Sequence, residues 1–100
     1  MAVGLVMQFA TGGQAEYDAV MTHLGLGTPA VQETQPWPEG IISHAAGATD
    51  GGWCVVDVWH SQEHFDRFFA GRLGPAIEAV GTIPPPTVTA FTVYNTHAGS

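Results

Sequence analysis

Asp57 is the lone carboxylate inside an apolar run, Trp53-Cys-Val-Val-Asp-Val-Trp59. Val55, Val56 and Val58 are β-branched and Trp53 and Trp59 aromatic, so the run fits a pleated, buried strand. A buried carboxylate without a partner costs several kcal/mol or changes its protonation. Asp57 therefore needs a partner or a task. Upstream, Thr49-Asp-Gly-Gly52 reads as a hairpin turn. A two-residue Asp50-Gly51 loop pairs Thr49 with Gly52. Stepping outward sets Ala48 against Trp53, Ala46 against Val55, His44 against Asp57 and Ile42 against Trp59. A four-residue loop keeps this pairing, whereas a three-residue loop moves it. Directly opposed side chains share a face with Cβ atoms about 5 Å apart. His44 and Asp57 are then neighbours, the strongly polar pair of their hairpin face.

The chemistry open to such a pair is general base catalysis. Asp57 holds the imidazole in one tautomer and raises its basicity, and His44 takes a proton from an acidic hydroxyl or C–H. Ala46 and Ala48 beside Trp53 and Trp59 leave room lined by aromatics, an apolar pocket with few convergent polar groups. The substrate-binding set read from this register is Trp53, Trp59, Ile42 and Ala46, joined by Phe65 from the following segment. The alternative reading also stands: His44 and Asp57 satisfy each other as a structural pair inside a core.

Other constellations carry less. His60-Ser-Gln-Glu-His64 matches the H-x-x-E-H pattern of inverted zinc proteases. His60, however, precedes Ser61, the expected helix cap, so the spacing is not helical, and no metal site is assigned. Gly12-Gly13 is too short to cradle a phosphate and reads as a turn. Arg67 and Arg72 read as surface residues paired with Asp66 or Glu63. Phe65, Phe68, Phe69 and Leu73 follow helical spacing and read first as core packing.

The elements that position these residues follow from periodicity. Val3 to Phe9 reads as a strand. Thr11-Gly-Gly-Gln14 resembles a capping box, and Tyr17, Val20, Met21 and Leu24 line one face of a helix ended by Gly25 or Gly27. Thr28 to Glu39 is a loop with Pro29, Pro36 and Pro38, anchored by Trp37. Gly40 to Ala48 and Trp53 to His60 are the hairpin strands. Ser61 caps a helix running to about Val80, which Gly74-Pro75 breaks or kinks. Val88 to His97 is the last strand. The order β-α-β-β-α-β is the ferredoxin-like split arrangement, an α+β fold. Right-handed crossovers put both helices on one face of a four-stranded antiparallel sheet. The strands are apolar on both parities, so the other face needs a cover, and a homodimer supplies one.

Composition narrows the partners. One hundred residues make a single domain, residues 1–100. Lys and Arg number 2 against 9 acidic residues, and the net charge of −7 disfavours nucleic acid and anionic membranes. The single cysteine, Cys54, reads as a buried thiol. No basic, apolar leader opens the sequence, which points to a cytoplasmic protein without a membrane span.

The element order and the segment Val-Asp-Val-Trp-His-Ser-Gln-Glu-His-Phe-Asp-Arg-Phe-Phe, residues 56 to 69, resemble the dimeric α+β barrel superfamily, in particular its antibiotic-biosynthesis-monooxygenase-like branch. The resemblance covers nearly the whole chain. It implies a homodimeric α+β barrel and, among known members, quinone-forming oxygenases without cofactor, haem-degrading oxygenases and isomerases. The expectation is a small enzyme without cofactor acting on a hydrophobic or aromatic secondary metabolite, by monooxygenase-like, isomerase or cyclase chemistry. A non-catalytic ligand-binding or stress-response barrel is the alternative. A haem protein is a lesser one: Trp59 matches the haem-degrading members, but the first strand offers Gln8 in place of their Asn, and His64 stands nearer the helix start than their axial ligand. A shared fold does not by itself fix chemistry.

Overall fold

The computed structural model describes residues 2–26 and 37–96. Most of the expected 28–39 loop and His97 lie outside the described residues. The elements are β1 (Val3–Phe9), α1 (Gln14–His23), β2 (Ile41–Thr49), β3 (Gly52–Trp59), α2 (Gln62–Phe68), a π-helical turn (Phe69–Leu73), α3 (Gly74–Val80) and β4 (Thr87–Thr92). The strands form one sheet in the order β2-β3-β1-β4, antiparallel throughout. This is the ferredoxin-like α+β arrangement expected from the order of elements.

Alternation along the two central strands sorts their side chains into two layers. Val3, Leu5 and Met7 of β1 and Val55 and Trp59 of β3 are buried against Val20, Met21 and Leu24 of the first helical segment and Phe65, Leu73, Ala76 and Ile77 of the second. Among the described residues the one buried charged group is Asp57, 3% exposed, in this same layer. The opposite face of the sheet carries Val6, Val56, Val58 and Phe91, with the Phe91 ring lying over Gly4, where a Cβ would meet it. Phe91 is 48% exposed there and Val56 39%.

Several local expectations change. Thr11 caps nothing: α1 starts after Gly13, which is extended and gives no side-chain cap. The helix ends as foreseen, with Gly25 at φ +81. The Leu26 amide donates to the Met21 carbonyl and the Gly25 amide to that of Thr22, a Schellman closure. Pro75 does not break the second helix. The Gly74 amide reaches back to the Phe69 carbonyl, and this wider π turn accommodates the missing proline N–H while the segment stays helical from Gln62 to Val80. β4 ends at Thr92, short of the expected His97. Arg67 bonds to Glu63 at 3.1 Å as expected. Arg72 does not pair with an acid: its Nη2 donates to the Leu24 carbonyl at 2.7 Å and its guanidinium stands 5.8 Å from the Phe68 ring. It therefore fastens the end of α1 to the second helix.

Candidate active site

The hairpin register holds from Thr49–Gly52 through Ala48–Trp53 and Ala46–Val55 to His44–Asp57. It then slips. A bulge between Ile41 and Ser43 puts Ile41, not Ile42, opposite Trp59, because the extra residue of a bulge is left out of the ladder. Ile42 is consequently 41% exposed, and Ile41 faces the protein interior.

His44 and Asp57 meet as the register requires. Nδ1 of His44 lies 2.7 Å from Asp57 Oδ1, and Trp59 Nε1–H donates to Oδ2 at 3.2 Å. Nε2 of His44 lies 2.6 Å from the Tyr17 hydroxyl. A carboxylate only accepts, so Nδ1 of the neutral imidazole carries the proton and Nε2 is left to accept from the Tyr17 hydroxyl. The result is a directed chain, Tyr17 to His44 to Asp57, closed behind by Trp59. Elements from three parts of the sequence build it. The first turns of α1 supply Tyr17, β2 supplies His44, and β3 supplies Asp57 and Trp59. The Trp37 ring packs on the imidazole with centroids 5.1 Å apart, and the Tyr17 ring lies nearly parallel to it, end-on through the hydroxyl, with centroids 6.1 Å apart.

The chain stands in the wall of a cavity between the sheet and the helices, about 690 Å³ counting its open mouth. Tyr17, Trp37, His44, Trp53 and Asp57 contribute to its lining, and the rest is largely apolar, including Met7, Val20, Ile41, Phe68 and Ile77. Trp53 packs against Tyr17 with ring centroids 5.4 Å apart. Its Nε1 is buried with no hydrogen-bond partner among the described residues. An orphaned buried donor costs about 1–3 kcal/mol, so this is an unusual group to leave in a cavity wall.

Of the residues assigned from sequence, His44, Asp57 and Trp53 line the cavity together. Trp59 and Phe65 lie behind the wall, 0% and 4% exposed, with Trp59 acting on Asp57 rather than facing the space. Ile42 and Ala46 are exposed and outside the lining. Sequence reasoning missed Tyr17, which it placed on the core face of a helix, and Trp37, which it used only as a loop anchor. The available signal was the Tyr17 hydroxyl itself. A phenol at the start of a buried helix stripe needs a polar partner, and His44 on the facing sheet had an unassigned nitrogen.

Haem does not suit this donor set. Both ring nitrogens of His44 are engaged. His64 does not face the cavity but a separate surface groove with Arg67 and Arg72, and its Nδ1 is bound to the Ser61 hydroxyl at 2.6 Å. That hydroxyl also accepts from the His64 amide, the expected helix cap. Among the described residues no group of three or more His, Cys, Asp or Glu side chains could hold a metal ion. No helix among them is long and apolar enough to cross a membrane.

No family model matches the sequence, and no curated protein matches it. Solved structures do. SnoaB of Streptomyces nogalater, a cofactor-independent oxygenase, aligns over 95% of both chains at 23% identity with a TM-score of 0.62. A Streptomyces coelicolor monooxygenase, ActVA-Orf6, solved with nanaomycin D, aligns over 99% of this chain and 92% of its own at 25% identity and a TM-score of 0.54. A hydroxynitrile lyase from Passiflora edulis aligns over 97% of both at 13% identity and a TM-score of 0.55. The chain has the ferredoxin-like α+β fold of the antibiotic-biosynthesis-monooxygenase-like proteins.

Proposed function

We propose that this protein is a small enzyme that removes a proton from a hydrophobic, hydroxylated aromatic substrate and so opens it to dioxygen without a cofactor. The observation that carries this reading is the Tyr17–His44–Asp57 chain in the wall of an otherwise apolar cavity. The tautomer fixed by Asp57 leaves His44 Nε2 as an acceptor. A substrate hydroxyl or activated CH₂ gives its proton to that nitrogen, directly or through the Tyr17 oxygen. Asp57 stabilises the imidazolium that forms, and Trp59 holds Asp57 in place. The conjugated anion then reduces dioxygen: a ring CH₂ and O₂ become C=O and H₂O. Apolar walls suit both a planar substrate and dioxygen. The oxygenase and the monooxygenase that share the fold support the oxygen-consuming step, and the lyase is an enzyme of this fold named for other chemistry.

Oxygen uptake with a panel of anthrones and naphthols tests the proposal. Stoichiometric consumption with quinone formation is expected. Conversion without oxygen consumption selects an isomerase or cyclase using the same base. Saturable binding with no conversion selects a ligand-binding barrel.

The enzyme acts as a homodimer in this reading. The sheet face carrying Val6, Val56, Val58 and Phe91 has no cover within the described chain, and a second copy of the same face is self-complementary in a two-fold dimer.

A further inference from the structure

We infer that the Trp53 indole N–H is a recognition donor for the cavity's ligand, so that the site selects planar ligands bearing a hydrogen-bond-accepting oxygen. The inference rests on the cavity being a ligand site, as proposed above, and adds a specificity-determining residue that the proton chain does not use.

Three observations converge on Trp53. Its indole lines the cavity. Its Nε1 is buried and has no partner among the described residues. Its position is tightly set. Gly52, immediately before it, lies so close to the Phe9 carbonyl that a Cβ there would strike that oxygen, and Trp53 itself pairs with Phe9 on one side and Ala48 on the other. The small Ala48 leaves the indole without a bulky neighbour on the β2 side. A buried donor on a backbone fixed in this way, with no acceptor from the described fold, calls for an acceptor from outside it, and a ligand oxygen supplies one. The same Tyr17 that packs on the Trp53 indole at 5.4 Å also reaches His44 with its hydroxyl at 2.6 Å. A ligand lying against Tyr17 is therefore next to both the proton chain and the Trp53 ring. Sites built to bond a ligand's polar atom reject the analogue lacking it far more strongly than an apolar pocket rejects a change in size.

The test uses a matched pair of planar probes, 9-fluorenone and fluorene, which differ by one carbonyl oxygen. Binding to the folded protein is measured by titration calorimetry, and the tryptophan indole resonances are followed by ¹H–¹⁵N NMR, with Trp53 assigned from its loss in Trp53→Phe. The expected result is fluorenone binding at least about tenfold tighter than fluorene, a downfield shift of the Trp53 indole proton with fluorenone only, and loss of the preference in Trp53→Phe. A preference that survives in Trp53→Phe overturns the inference. So does an indole resonance that stays still while fluorenone shifts the Tyr17 and His44 signals, the behaviour of a donor already satisfied by a resident water. Where Trp53→Phe misfolds, the Trp53 indole is assigned instead by elimination from Trp37→Phe and Trp59→Phe, and the wild-type NMR readout still decides the matter. Failure of both probes to reach the cavity, with no shift at Tyr17 or His44, overturns the inference together with the ligand-site reading beneath it. An unmoved indole beside moved Tyr17 and His44 signals overturns the inference alone.

Discussion

His44 and Asp57 are directly opposed in the β2–β3 ladder, and the imidazole Nδ1 stands 2.7 Å from the carboxylate. The consequence lies at the other nitrogen. With Nδ1–H committed to Asp57, Nε2 is an acceptor and Tyr17 its donor, so one carboxylate sets the direction of every hydrogen bond in the chain.

Asp57→Asn reverses that direction. The amide oxygen can still accept from Trp59, but its NH₂ then faces Nδ1, which must give up its proton. Nε2 becomes a donor to the Tyr17 oxygen and is no longer a base. Turnover of the responsive substrate is expected to fall by about 10²–10⁴-fold, while thermal stability changes less because the amide still bonds both Trp59 and His44. Unchanged turnover in a folded Asp57→Asn protein removes His44 from the mechanism.

Tyr17→Phe separates a relay from a bystander. The ring packing on Trp53 is retained, and only the hydroxyl at 2.6 Å from His44 is lost. If the phenol carries the proton to His44, kcat falls by about 10²-fold or more with little change in KM. If the substrate reaches Nε2 directly, the phenol competes for that nitrogen, and its removal raises kcat/KM. A KM effect alone, with kcat intact, shows that Tyr17 only shapes the cavity.

The uncovered sheet face makes a prediction about assembly. An obligate dimer buries more than about 2,000 Å² in total, and Val6, Val56, Val58 and Phe91 provide the apolar centre for it. Phe91→Asp or Val56→Asp places charge in that centre. The wild type is expected to show a dimer mass by light scattering at micromolar concentration and Val56→Asp a monomer or a mixture. A monomeric wild type ends the proposal.

Much of this geometry is legible in the sequence. Asp50-Gly51 set Thr49 against Gly52, and strict two-residue alternation carried that register to His44 and Asp57 without loss. It failed at Ile42 because a bulge consumes a residue without a distinctive side chain to announce it. Tyr17 was hidden for a different reason. A helix stripe identifies which side chains face the sheet but not which strand residue each one meets, so the Tyr17–His44 bond depends on how α1 lies across β2. Trp59 read as a lining residue of the pocket, whereas the structure has it 0% exposed and bonded to Asp57, since alternation cannot tell a residue in a cavity wall from one sealed behind it. Pro75 looked like a helix break because sequence rules assume the i−4 ladder, and a π turn gives the chain another register.

Stability measurements distinguish the contributions of the two partners. The Asp57 side chain is 4% exposed and that of His44 17%. His44→Leu leaves the carboxylate buried with Trp59 Nε1–H as its remaining partner, and a buried acceptor left short of a donor costs about 1–3 kcal/mol, more when the acceptor is charged. Asp57→Leu removes the charge but strands the His44 and Trp59 donors, at about 1–3 kcal/mol each. His44 can recover part of that loss by turning toward the cavity mouth, whereas Trp59, 0% exposed, has nowhere to go. The expected order in urea denaturation is therefore His44→Leu least stable and Asp57→Leu intermediate. The double variant should lie near Asp57→Leu rather than at the sum of the two losses, because removing the charge cancels the penalty that made His44→Leu severe. Additive losses in the double variant show that the two side chains act independently of one another in the fold, and a His44→Leu protein within about 1 kcal/mol of wild type shows that Asp57 does not depend on His44 for its place in the core.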